Sequence, residues 1–434
     1  VASHGRQING RGEAIIPEYS DVSISDWEVI ANPHPFLHHV RASDPVHWDP
    51  KWHGWLVTRR DDLIKVMEDP QTYSSAFDLR SARGDSSASE DDLAAVSKVL
   101  SKWTVWVDPP AHTRVRKVMA SRFKPGMISK TFADVGGVQA YSKAMSEALI
   151  DDALRDDTIE IVAAVASPLP MLVAGKLLGF PPADGGKLKA WSDAMLDVVF
   201  GDAPDRFARA RPAVDEMAAY FRHLCAARRR QPREDVTSYL VARTSQDEGL
   251  VLTDDELVGV LTHLLFAGHT TTSDLIGGMM VAFHDHPDQQ AVIRDRPELA
   301  ESAAVEAMRF VTPVKAQPRT ATCDTELRGR SIKHGDPVLP LMIAANRDPA
   351  TYSDPDSFDI ARTPNPQLGF GRGIHFCVGS GIALAEAAGF LEAFFGRFNK
   401  MEIAVPYSRP TDLSWHHLML QRGLQRLPLR TFVT

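Results

Sequence analysis

Apolar residues recur at helical spacing through most of this chain, and the longest such stripe sets its organisation. Leu257, Leu261, Leu264, Gly268, Thr271 or Thr272, Leu275 and Met279 fall along one face. Thr253 and Glu256 form a capping-box pattern ahead of the stripe, and Pro287 bars its continuation. A helix of about thirty residues spans roughly 45 Å, so this one is expected to cross a domain buried. Its middle, Ala267-Gly268-His269-Thr270-Thr271-Thr272, replaces apolar residues with glycine and hydroxyls, which lowers helix propensity. Threonine side chains there can bond the preceding turn's carbonyls and open a polar groove. Shorter helices are predicted over 36–41 and 61–68, and a helical succession over 131–245, broken at Gly179-Phe180-Pro181-Pro182 and Gly201-Asp202-Ala203-Pro204. Strands are predicted at Val46-His47-Trp48, Gly54 to Thr58, Thr320 to Cys323, Ile332 and Val338-Leu339, with a final hairpin around Gly423 over 418–430. Serine and acid crowd residues 79–92, which predicts a mobile segment. The pattern reads as a mainly α fold with a small β lobe. Residues 1–12 are expected to be a disordered start and 13–434 a single domain, α-rich over roughly 100–310 and 375–400, with β elements over roughly 45–60, 318–345 and 400–432.

Composition narrows the partners. At 434 residues with no Pro/Gly/Ser-rich linker, the chain can bury a large cofactor within one unit. A formal charge of −8 argues against a nucleic-acid partner. Cys225, Cys323 and Cys377 form no CxxC and lie far apart, so neither a zinc site nor a disulfide framework is expected, and a reducing cytoplasm fits. Neither a membrane-spanning run nor a signal-peptide core is read, which points to a cytoplasmic protein off the membrane.

The chemistry concentrates in Phe370-Gly371-Arg372-Gly373-Ile374-His375-Phe376-Cys377-Val378-Gly379. Glycines here give the backbone freedom to approach something bulky. The following run, from Gly381, reads as a helix whose N-terminal end would lower the thiol pKa of Cys377. Taken alone, Cys377 could be one more buried free thiol. With Phe370, Gly373 and Gly379 at these spacings, the loop resembles the cysteine-ligand loop of the cytochrome P450 family.

That resemblance runs from Asn32-Pro33 to the final hairpin and implies the P450 fold, with haem b (iron protoporphyrin IX) ligated by Cys377. A thiolate ligand pushes electron density onto the iron and favours O–O cleavage. In Asp108-Pro109-Pro110-Ala111-His112, Pro109 and Pro110 start a helix whose His112 and Arg116 share a face. By resemblance these two bind haem propionates together with Arg319 and His375, while Phe370, Gly371 and Ala267 also belong to the cofactor site. Gly268, Thr270 and Thr271 match the oxygen-activation stretch. The family has an acid where this chain has Thr270, which leaves His269, Asp274, ordered water, or use of peroxide as ways to supply protons. Glu306 and Arg309 match a structural Glu-x-x-Arg helix whose partners are taken as Phe358 and Arg362. The substrate pocket is expected to be edged by Phe266, Val314, Lys315, Ala316, Leu420 and Gln421, with 200–211 crossing its mouth and 79–92 over its entrance. Lys315 either meets an acidic substrate or snorkels outward, the second being favoured. Arg114, Lys117, Arg122 and Lys124 form a basic patch that could dock an acidic electron donor or could be a solvated face. The implied activity is hydroxylation or oxidative dealkylation of a small hydrophobic substrate with O2 and electrons from a separate ferredoxin and ferredoxin reductase. Alternatives are a peroxide-driven peroxygenase and a non-catalytic haem-binding protein.

Overall fold

The computed structural model describes residues 19, 21–76, 88–201, 203–242 and 252–433, the Pro125 side chain excepted, and the backbone of Gln7–Ile8 and Ala14–Ile15. The expectations for residues 1–12 and 79–87 lie largely outside the described residues, although Gln7–Ile8 pairs antiparallel with Ala14–Ile15. The central helix runs Asp254–Asp285. Its cap is the one predicted: the Thr253 hydroxyl accepts from the Glu256 N–H, and the Glu256 carboxylate accepts from the Thr253 N–H at 2.8 Å. Pro287 then opens the next helix, Pro287–Asp295. Leu257, Leu261, Leu275 and Met279 are buried, and helices Glu90–Leu100, Pro168–Leu178, Gly185–Phe200, Arg206–Arg230, Ala300–Val311 and Ser380–Arg397 pack around the central one. Two large apolar clusters result. Leu257 to Phe266 of the central helix belongs to one of them and Leu275 to Phe283 to the other, so the Gly/Thr stretch falls at their junction.

The β lobe is a five-stranded sheet ordered Val46–Asp49, Gly54–Val57, Pro337–Pro340, Arg319–Ala321, Tyr73–Ser74. Val338 pairs with Trp55 in parallel, and the other ladders are antiparallel. Two sequence expectations need correction. Residues 418–430 do not pair with themselves throughout. Pro428–Phe432 instead joins Lys400–Ile403 and Thr158–Glu160 in a three-stranded sheet. A bridge between Trp415 and Leu424 closes a smaller loop, and Gln421 bridges Val314, with Trp415, Gln421 and Leu424 all buried. Nor is the whole of 79–92 irregular, since Ser89 and Asp92 form a capping box that starts helix Glu90–Leu100. Its acids Glu90, Asp91 and Asp92 lie in the first turn, where the helix dipole favours negative charge.

The loop before the cysteine is fixed from both sides. Glu306 and Arg309, neither exposed, form a bidentate pair at 2.7 Å, and Arg309 also donates to the carbonyls of Asn346, Pro355 and Ser357. Arg362 donates to Glu306 at 3.2 Å, and Phe358 packs edge-on against Phe283 of the central helix. On the other side, Arg372 donates to Glu68 at 2.6 Å.

Candidate active site

Gly371 and Gly373 take φ of 73° and 70°, which other residues adopt only with strain. At Gly373 a Cβ would lie 2.4 Å from the Met67 carbonyl, so this backbone is pressed against helix Arg60–Glu68. The turn presents Cys377, whose N–H donates to the Phe370 carbonyl at 2.9 Å, to a cavity of about 1730 Å³ counted out to its open mouth. Cys377 lies just ahead of helix Ser380–Arg397, as expected, but its thiol pKa is raised rather than lowered. Burial pushes it up and outweighs the downward pull of the Gly379 N–H and Arg116.

The central helix supplies another wall through Phe266, Ala267, Gly268 and Thr271, which all line the cavity. The Thr271 hydroxyl donates to the Ala267 carbonyl at 2.7 Å, and Thr270 donates to that of Phe266 at 3.2 Å. Nothing lies within 4 Å of a Cβ placed at Gly268, so that backbone is open to the space. Thr270 does not line the cavity and is 5% exposed, its side chain taken up by its own helix.

Four side chains expected at a carboxylate-bearing cofactor gather at this site. Arg116, Arg319 and His375 line the cavity, and the His112 ring lies 4.4 Å from that of His375. Both ring nitrogens of His112 and Nε2 of His375 are buried without a hydrogen-bond partner. Burial, followed by the electrostatic effects of Arg319, His112 and Arg116, pushes His375 down to about 2, and burial lowers His112 as well. Arg319 is 4% exposed and pushed down to about 10 by burial, against the pull of Asp108, and it donates to its neighbour's carbonyl, Pro318, at 2.8 Å. Arg116 donates to the Phe376 carbonyl. The buried Arg319 guanidinium, with Arg116 and the unpartnered imidazoles around one apolar space, calls for anionic acceptors. A flat apolar group carrying carboxylates, with a metal for Cys377, meets each requirement, so these residues fit haem.

The expected substrate residues divide. Phe266, Val314 and Ala316 line the cavity, as does Phe370, whereas Lys315, Leu420, Gln421 and Gly371 do not. Lys315 neither snorkels outward nor enters the cavity. It is 1% exposed, and strand alternation turns it away from the side shared by Val314 and Ala316. Its Nζ has no partner, and burial, with Arg422 nearby, pushes it down to about 7. Of the basic patch, Lys117 and Lys124 are exposed, while Arg114 pairs with Glu256 and Arg122 is buried. A continuous patch of four is therefore not formed.

Sequence reasoning missed an aromatic wall. Trp103 stacks on Trp106 at 5.4 Å and on His263 at 5.2 Å, and its indole N–H donates to Thr262 at 3.0 Å. Two tryptophans just ahead of Asp108-Pro109 were the available signal. Glu386 was also missed; it lines the cavity, with Oε2 buried and unpartnered.

Comparisons with known proteins agree on one family. The family model described as Cytochrome P450 matches residues 192–422. The cytochrome P450 monooxygenase PikC of Streptomyces venezuelae is 34% identical, covering 97% of this chain and 96% of that protein. Linalool 8-monooxygenase of Pseudomonas putida is 31% identical over 89% of this chain and 94% of its own. Among solved structures, CalO2 superposes with a TM-score of 0.84 at 28% identity, covering 94% of this chain and 98% of that one.

Proposed function

Because this chain belongs to the cytochrome P450 family of haem-thiolate monooxygenases, we propose that it binds haem b through Cys377 and hydroxylates or oxidatively dealkylates a small hydrophobic substrate. The observation that carries this is the cavity itself, which Cys377 and the Thr271 stretch both line beneath the cluster of His112, Arg116, Arg319 and His375. When bound, haem would supply activation of O2 and transfer of one of its oxygen atoms. The chain's own groups do the rest. Arg116, Arg319, His112 and His375 would hold the propionates, and the unpartnered ring nitrogens of His112 and His375 support that role. The Gly379 N–H and Arg116 favour the thiolate form of Cys377. Trp103, Phe266, Val314 and Ala316 make an apolar wall that would orient the substrate and exclude water. Thr271 would pass a proton at its Oγ1, released from the Ala267 carbonyl.

Electrons are assigned to a separate ferredoxin and its reductase. Lys117 on the Arg116 helix and Lys124 just beyond its end are exposed and support docking of an acidic donor there. A cytoplasmic location is supported by the free cysteines, Cys323 among them exposed. Among the described residues no helix is long and apolar enough to cross a membrane.

The test is an optical titration of the purified ferric protein with small apolar molecules, half of them carboxylates, followed by turnover with reduced ferredoxin or with peroxide. A thiolate-haem Soret band that shifts with neutral ligands, and product formed with ferredoxin, is the expected result. Turnover with peroxide alone would make the protein a peroxygenase. Reductant use with no ligand oxidised would make it a haem-binding protein without turnover, and absence of a thiolate-haem spectrum would overturn the reading.

A further inference from the structure

The monooxygenase reading, on which this inference rests, leaves Thr271 without a proton source, because Thr270 stands where the family has an acid. Two buried carboxyls lie on the helices that carry the site. Glu386 lines the cavity from the helix that follows Cys377. Asp274 lies on the central helix itself, 7% exposed. At 3.6 residues per turn, Asp274 points about 40° from Thr270 and about 60° from Thr271, between the two, whereas His269 points about 140° away. Side chains three and four apart on a helix have Cβ atoms about 5–6 Å apart, a gap that a carboxyl and a hydroxyl span directly or through one water.

The carboxyl of Asp274 is held in place. Gln421 Nε2 donates to it, and the Gly423 backbone is so close that a Cβ there would lie 1.9 Å from Oδ1. Gln421 in turn bridges Val314 of the cavity wall. Among the described residues, Asp193 on helix Gly185–Phe200 is the charge that acts on Asp274, and no cation is seen to act on it. Burial, and then Asp193, raise Asp274 to about 8 against the Gln421 hydrogen bond. Asp193 also acts on His269 and His416, and it is itself half exposed in a pair with Lys189.

We propose that Asp274 is the internal acid of this chain, giving a proton toward the Thr271 hydroxyl and recovering one from solvent on the Asp193 side, one helical turn beyond the position where the family carries its acid. Each turnover takes O2, two electrons from the redox partner and two protons from solvent; one oxygen atom enters a substrate C–H bond and the other leaves as water. Asp274 ends each cycle protonated as it began. Acting through Thr271, it is a positioning residue for protons and does not touch substrate.

Asp274→Asn keeps an acceptor for Gln421 and tests this. The infrared spectrum of the wild-type protein at neutral pH should contain the carbonyl stretch of a protonated carboxylic acid that the variant lacks. Product formed per reductant consumed should fall at least about tenfold, with a larger solvent deuterium isotope effect, while peroxide-driven turnover, which brings its own protons, stays within about twofold. Adding Thr270→Glu to Asp274→Asn should recover the lost coupling. Unchanged coupling in Asp274→Asn, an unaltered infrared band, or the whole effect reproduced by Glu386→Gln in its place would each overturn the proposal and leave the monooxygenase reading intact. A wild-type protein without a thiolate-haem spectrum would overturn both.

Discussion

Replacing Lys315 with methionine should stabilise this protein, and by an amount that depends on pH. The side chain is 1% exposed and Nζ has no partner, so the folded state holds an ammonium without compensation. Burial pushes the group from 10.5 down to about 7. At about 1.4 kcal/mol per pH unit, that is roughly 5 kcal/mol of destabilisation when the lysine is charged in both states, which holds below pH ~7. Between pH ~7 and ~10.5 the unfolded chain binds the proton and the folded one does not, so wild-type stability rises with pH, and above ~10.5 the penalty is gone. Lys315→Met fills a similar volume without the charge. With an unfolding entropy near 2.1 cal/mol/K per residue, the chain's 434 residues convert roughly 5 kcal/mol into an increase in apparent Tm of about 5–6 °C at pH 7. The difference should shrink to roughly 2 kcal/mol, about 2 °C, at pH 9. Thermal unfolding of both proteins followed by far-UV circular dichroism at the two pH values measures this. A variant less stable than wild type, or a gap that does not narrow with pH, would show that Nζ has a partner and refute the reasoning. Because Lys315 faces away from the cavity, ligand-induced Soret shifts should be unchanged in the variant.

Arg309→Met strands the Glu306 carboxylate in the interior and should cost about 3–5 kcal/mol, read as a lower denaturation midpoint, with Glu306→Gln milder. Arg319→Met removes a buried cation of the propionate cluster and should weaken haem retention, measured as faster transfer of haem to an acceptor globin, while the apoprotein's circular dichroism stays the same. Gly423→Ala drives a methyl into the Asp274 carboxyl and should lower stability by about 1–3 kcal/mol, whereas Gly268→Ala, which meets open space, should leave stability within about 1 kcal/mol of wild type.

Features set by neighbouring residues were legible in the sequence. The Thr253/Glu256 cap, the stop at Pro287 and the glycine-framed Cys377 turn each rest on spacings of a few positions, whereas the Glu306–Arg309 pair was picked out by family resemblance. The gathering of His112, Arg116, Arg319 and His375 was legible only through family resemblance, since His112 and His375 meet across the fold. What could not be read depends on distant packing. Thr158–Glu160 is too short to show an alternating pattern, and it becomes a strand because Pro428–Phe432 lies beside it. The direction of Lys315 follows from the bridge of its neighbour Val314 to Gln421, and the burial of Arg122 from packing beside Tyr239. The thiol of Cys377 was misread because the helix end was weighed without the desolvation that accompanies it.

The parallel pairing of Trp55 with Val338 sets a schedule for the chain as it is made. At about 5–20 residues per second, the segment from position 55 to position 338 takes roughly 15–60 s to synthesise. Gly54–Val57 therefore waits that long for its partner, with Val46–Asp49 alone beside it, and a lone hairpin is marginally stable. Cys377 is later still, so a cofactor held there as proposed could not be captured until that position, well beyond Val338, has emerged. Slow translation or scarce haem during expression should thus send chains toward aggregation through this waiting sheet edge rather than through the helical half, which can pack on contacts nearer in sequence.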